Sequence, residues 1–100
     1  ERTVIVEVAS TPKQISKGLQ FREGLEPDGG MLFIFGRPVS MCFWMKNTTV
    51  ALDAAFVGAG GQIVHIAQMQ PLSEALHCPS VPAIAVVEMN QGWFRRNGVG

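Results

Sequence analysis

Apolar and polar positions alternate along much of this chain, and each change of period marks an element. Residues 3–10, TVIVEVAS, place Val4, Val6 and Val8 on one side and Thr3, Ile5, Glu7 and Ala9 on the other, as a strand with one buried face does. The period then changes. Thr11 stands three residues before Gln14, as a capping box requires, and Pro12 suits a first helical position. Ile15, Leu19 and Phe21 fall near one stripe, so a short amphipathic helix is predicted over residues 12–23. Gly18 inside it costs about 1 kcal/mol relative to alanine, and close approach to another backbone is the expected compensation.

Residues 31–35, MLFIF, are apolar throughout and too short for an independent helix, which predicts a strand buried on both faces. Gly36, Arg37 and Pro38 are expected to turn the chain into a strand over residues 41–46. There Cys42, Trp44 and Lys46 share one face, and Met41, Phe43 and Met45 the other. Residues 50–57 and 62–69 read as two antiparallel strands joined by the glycine-rich turn at 58–61. Residues 70–82 contain Pro71, Pro79 and Pro82 and form the longest loop, a place where function tends to sit. Residues 83–90, AIAVVEMN, give a last strand, and residues 93–98 one helical turn closed by Gly98.

The pattern implies a single α+β domain over residues 1–100. It is a mostly antiparallel, small bent sheet closing towards a barrel, with one N-terminal helix over an opening. At 47% apolar and 16% charged, the chain is too apolar for disorder, and its length suffices for one core. A formal net charge of zero and scattered basic residues give no electrostatic footprint for nucleic acid. No stretch approaches the roughly 20 apolar residues of a membrane-spanning helix, so no membrane insertion of this domain is expected. A chain that opens on Glu1 fits removal of a signal peptide or a trimmed sequence, and the domain is expected to be exported, periplasmic or extracellular, with the cytoplasm as the alternative.

Against this apolar background the isolated charges stand out. Between Pro38 and Ser73, Lys46 and Asp53 are the only formal charges. If residues 42–46 and 51–56 are neighbouring strands, the two meet either as a buried salt bridge or as a ligand-facing pair. A nearby Asp53 would raise the lysine pKa, which speaks against Schiff-base chemistry. Glu88 lies mid-strand on the face of Val86, where a solvent-facing glutamate is the commoner case. With Asp53 it would offer a carboxylate pair. His65, His77, Cys42 and Cys78 are zinc-ligand types but lack any compact ligand spacing, so neither a metal nor a cofactor is expected. The two cysteines read first as buried thiols, with a single bridge as the alternative if the domain is exported. Trp44, sharing a face with Lys46, offers an aromatic wall beside a cation.

The residues also resemble a known family. The series Val8-Ala9-x-Thr11, Gly18-Leu19-x-Phe21-Arg22, Gly30-Met31-Leu32-Phe33-x-Phe35, Phe43-Trp44-Met45-Lys46-Asn47-Thr48, Leu52-Asp53, Phe56, Gly61-x-Ile63 and Val87-Glu88 resembles domain-of-unknown-function family 192. The resemblance implies a small bacterial or archaeal single-domain protein, often exported, with a compact mostly-β fold and a helix near its N-terminus. It implies no activity and no catalytic residue. Gln20 stands where the family usually has methionine, Ala51 replaces a common proline, and the family pattern continues beyond Gly100.

The candidate site is therefore Arg22, Trp44, Lys46, Asn47, Thr48, Asp53 and Glu88, a polar patch flanked by the 70–82 loop. Polar residues in apolar strands, without a recognised nucleophile and base pair, favour a non-catalytic module that binds a small ligand or a protein partner. Two rivals remain open. One is an enzyme acting on a small anionic or carbohydrate substrate, with Asp53 or Glu88 as general base and Lys46 or Arg22 holding the anion. The other is a purely structural or interaction domain.

Overall fold

The structure, a computed structural model, describes residues 4–99. In chain order its elements are β1 (Ile5–Ala9), α1 (Pro12–Lys17), β2 (Gly29–Val39), β3 (Leu52–Gly58), β4 (Ile63–Met69), β5 (Ala83–Asn90) and α2 (Trp93–Arg96). Thr3, expected to open the first strand, lies outside the described residues. The strands form one sheet in the order β1-β2-β5-β3-β4. β1 runs parallel to β2, and the remaining pairings are antiparallel. The fold is thus mostly β with short helices, and its sheet is mixed. Parallel pairing follows from the long connection between β1 and β2, which crosses over the sheet as no tight hairpin can. β1 and β4 remain the outer strands and do not pair with each other, so the sheet is open where partial closure was expected.

Register explains the core. Phe33, Val86 and Phe56 lie side by side across β2, β5 and β3, and all three are fully buried. Ala9, Leu52, Ala54, Ala67 and Met69 extend this face. Phe43 packs edge-on against both Phe33 and Phe56, with ring centroids 5.0 and 5.8 Å apart. Leu19 and Met45 complete the cover. Each of the buried Phe, Leu, Met and Val side chains contributes roughly 1.5–3 kcal/mol on burial. The opposite face carries a smaller cluster of Ala55 and Met89 under Trp93 and Phe94 of α2.

α1 ends earlier than its periodicity predicts. Thr11 and Gln14 form the expected capping box. Gly18 is the C-cap at φ 52°, its N–H donating to the Gln14 carbonyl, and a side chain there would stand 3.5 Å from the Phe33 ring. The glycine therefore terminates the helix instead of weakening its interior. The close approach of another backbone expected at Gly18 is not found there, where the Phe33 ring is nearest; it occurs at Gly30, where a Cβ would collide with the Glu88 carbonyl and the Met89 sulfur. Gly36 adopts φ 78° within β2, where the register slips, so this stretch bulges the strand and does not end it.

Residues 43–46 keep the predicted alternation, while Met41, expected on the inward face, is exposed, and the segment leaves the sheet. Phe43 and Met45 are buried while Trp44 and Lys46 are exposed. Phe43 exchanges two 2.8 Å hydrogen bonds with His77, and Met45 N–H donates to the Ser73 carbonyl. The segment pairs with the 70–82 loop above the sheet, not with β3. Cys42 and Cys78 are both exposed and are joined by a disulfide, with Cα atoms 4.2 Å apart. The reading of two buried thiols is thus overturned. The bridge fastens this strap to the loop at the edge of the Phe43–His77 pair.

Candidate functional site

The chain that leaves β1 passes through α1, and the chain that leaves β2 passes through residues 41–48. Both lie over the sheet face bearing Phe33. Between them is a cavity of about 450 Å³, lined largely by apolar groups including Ile15, Leu19, Phe33, Phe35, Met41 and Phe43. This volume falls in the range of small-molecule sites. Its charged lining is brief: Lys17 from the last turn of α1, Arg37 from the β2 bulge, and Glu88 from β5. Lys17 and Arg37 are exposed.

Glu88 is unlike the other two. It is only 4% exposed, and its carboxyl has no hydrogen-bond or ion-pair partner among the described residues. Its cross-strand neighbours are Met31 and Ala54. Glu7 lies one strand beyond Met31 on the same face, but its carboxylate is held by Arg22. Burial alone pushes the Glu88 carboxyl up to about 8, so at neutral pH it is mainly the neutral acid, able to donate one hydrogen bond and accept another. The expectation of a solvent-facing glutamate is corrected: alternation gave the right face, but α1 and the 41–48 strap cover that face.

Three predicted site residues meet at this cavity, namely Trp44, Thr48 and Glu88. Trp44 is exposed, with the Lys46 ammonium 5.3 Å from its ring centroid, so the proposed aromatic wall beside a cation is present. Thr48 is buried and its hydroxyl donates to the Lys46 carbonyl at 3.2 Å. Asn47 is an exposed turn residue at φ 58°, and its carbonyl accepts from Phe21 N–H. Its role here is to shape the turn.

The others lie elsewhere. Asp53 and Lys46 do not form an ion pair. Asp53 is in register with Met89 while Glu88 is in register with Ala54, which puts the two carboxyls on opposite faces and removes the carboxylate pair. Asp53 is buried, and its Oδ2 accepts the Gly92 N–H at 2.8 Å, fastening the turn into α2. Arg22 makes a two-pronged pair with Glu7 beside β1, one prong at 2.7 Å and the other through Nη1 and Oε2. That pair holds the Glu7 carboxyl below its usual range, and the proposed convergent patch therefore divides into three separate places. His65 stacks on Phe56 instead of approaching a cysteine. Among the described residues no cluster of metal-ligand types occurs. Lys17 and Arg37 escaped sequence reasoning because each is an exposed charge in an ordinary position; only the helical stripe running through Ile15 and Leu19 pointed to the face where Lys17 ends.

The fold and cavity define a class: an open mixed-sheet α+β domain with a half-enclosed apolar cavity over one sheet face and a buried acid within it. The chain belongs to the family DUF192, described as Uncharacterized ACR, COG1430, which matches residues 1–100. No curated protein matches it. It is similar to a crystal structure from Sinorhizobium meliloti 1021 described as "a putative transcription regulator", at 40% identity and TM-score 0.93 over 97% of this chain and 76% of that one. It is also similar to a protein of unknown function from Novosphingobium aromaticivorans DSM 12444, at 36% identity and TM-score 0.93 over 97% of this chain and 70% of that one.

Proposed function

We infer that this domain is a binding module whose small ligand occupies the cavity between α1, the 41–48 strap and the sheet. The observation that carries this reading is Glu88. A buried carboxyl without a partner costs on the order of 1–3 kcal/mol, and it faces a space in which a ligand would supply the missing partner. Trp44 and Thr48 belong to the same site. Lys46 serves it by steadying Trp44. Asp53, Asn47 and Arg22 support the fold around it. A panel of small amphiphiles of each charge, followed by melting temperature and Trp44 fluorescence, tests the reading. Binders should lose their effect in Ser16→Trp, which fills the cavity from an exposed helix position. A panel without any binder contradicts the proposal.

A second reading is favoured by the same carboxyl: an enzyme using Glu88 as general acid or base, since a raised pKa in a cavity is what such a role needs. Asp53 is on the wrong face to serve as its partner, which weighs for binding without turnover. Recovery of chemically unchanged binders after long incubation separates the two. The surface disulfide supports export to an oxidising compartment, and alkylation with mass analysis of the protein from its native host tests that. The regulator description of the Sinorhizobium protein finds no support here in charge, because this chain is neutral overall and carries no basic stripe.

A further inference from the structure

Resting on the binding reading above, the lining points to one chemical class of ligand. We propose that the cavity takes an anionic amphiphile: a carboxylate at the mouth by Lys17 and Arg37, an apolar body over the phenylalanines, and a neutral acceptor oxygen reaching Glu88. The distribution of charge argues for this. Lys17 and Arg37 line the mouth and neither is in an ion pair among the described residues. The nearest competing acid on that face, Glu7, is engaged by Arg22, and Lys17 acts on it only at longer range. A cationic ligand would pass two positive groups and then need Glu88 to give up its proton in an apolar setting, which burial opposes. An anion is drawn in by the same two groups. A neutral buried acid is a hydrogen-bond donor, and the complement of a donor is a carbonyl or ether oxygen. Ile15, Leu19, Phe33 and Phe35 supply an apolar lining that suits a hydrocarbon body, beside the polar Ser16, Gln20 and Thr48.

The test is a matched set of probes measured by calorimetry on the whole chain: an oxooctanoate with its ketone next to the terminal methyl, octanoate, methyl hexyl ketone and octylamine. The oxooctanoate is expected to bind at least about tenfold tighter than the ketone or the amine, an advantage that falls as salt rises. Lys17→Gln with Arg37→Gln, both at exposed positions, should remove that tenfold. One hydrogen bond makes the oxooctanoate roughly fivefold tighter than octanoate. Glu88→Leu should abolish this smaller preference, while Glu88→Gln, which keeps a donor, should retain it. If octylamine binds tightest, or if the double variant leaves the oxooctanoate unaffected, the ligand class is overturned and the binding reading stands. If none of the four binds and none shifts Trp44 fluorescence, both fall.

Discussion

Asp53 and Glu88 are both buried acids on adjacent central strands, at 8% and 4% exposure, yet they face opposite sides of one sheet. Asp53 meets the Gly92 amide, so one of its oxygens is satisfied within the fold. Glu88 has no hydrogen-bond or ion-pair partner among the described residues, and the segments covering its face leave a cavity beside it. The comparison teaches that an acid in an apolar strand is not by itself a site. What separates the structural acid from the chemical one is whether the overlying chain brings a donor. On the Asp53 side the turn into α2 brings a backbone N–H to one oxygen and leaves Oδ1 unsatisfied, and on the Glu88 side no group of α1 or the strap bonds the carboxyl among the described residues.

The sharpest way to break this contrast is pH. Glu88 has a folded pKa raised above its unfolded value, so the folded state holds the proton that the unfolded state releases. Its stabilising effect is complete below about 4.5 and is lost as pH rises to about 8. Stability should fall by up to about 5 kcal/mol across that window, as read by urea titration at each pH. Glu88→Gln should flatten the slope that the unaltered chain shows. An unchanged slope in Glu88→Gln would erase the distinction.

Next in size is the strap that roofs only the Glu88 side. Removing the Cys42–Cys78 bridge, which spans 36 residues, by Cys42→Ser with Cys78→Ser should cost about 3–4 kcal/mol in chemical denaturation. It should also loosen Trp44, seen as a red shift in its emission, while Trp93 on the other face is undisturbed.

Smaller effects then set the two acids directly against each other. Asp53→Ala leaves the Gly92 N–H without its acceptor and should destabilise by about 1–3 kcal/mol. Glu88→Leu replaces an unpartnered acid by hydrocarbon and should leave stability at neutral pH unchanged or higher. The two variants are expected to differ in sign, and matched losses would mean that Glu88 has a structural partner after all. The smallest effect belongs to Arg22→Ala. Its pair with Glu7 is partly exposed and is worth at most about 1 kcal/mol, present above the unfolded glutamate pKa and lost in acid as Glu7 protonates.

Much of this fold could be read from period and punctuation. The last strand, the turn into α2, the hairpin of β3 and β4 and the capping box all follow from local chemistry. Strand direction did not, because alternation is blind to it and β1 pairs with β2 only through a crossover. Nor did the location of residues 41–46. Their alternation correctly sorted Phe43 and Met45 inward, but hydrogen bonding to Ser73 and His77 is a non-local choice. In the site, Glu88, Trp44 and Thr48 were visible as polar or aromatic residues in an apolar setting. Asp53 gave the same signal and meant something else, since its partner is an amide 39 residues away. Lys17 and Arg37 gave no signal, because exposed charges at a helix end and beside a proline are ordinary until a cavity opens next to them.

The central claim is that Glu88 stays a neutral, unpartnered acid in the cavity until a ligand meets it. Carbon-detected NMR titration of the Glu88 side-chain carboxyl in the free protein tests it most directly. A midpoint near 8 that moves when the oxooctanoate is added is the predicted result. A midpoint near the ordinary glutamate value of about 4.3, unmoved by any probe, would contradict it.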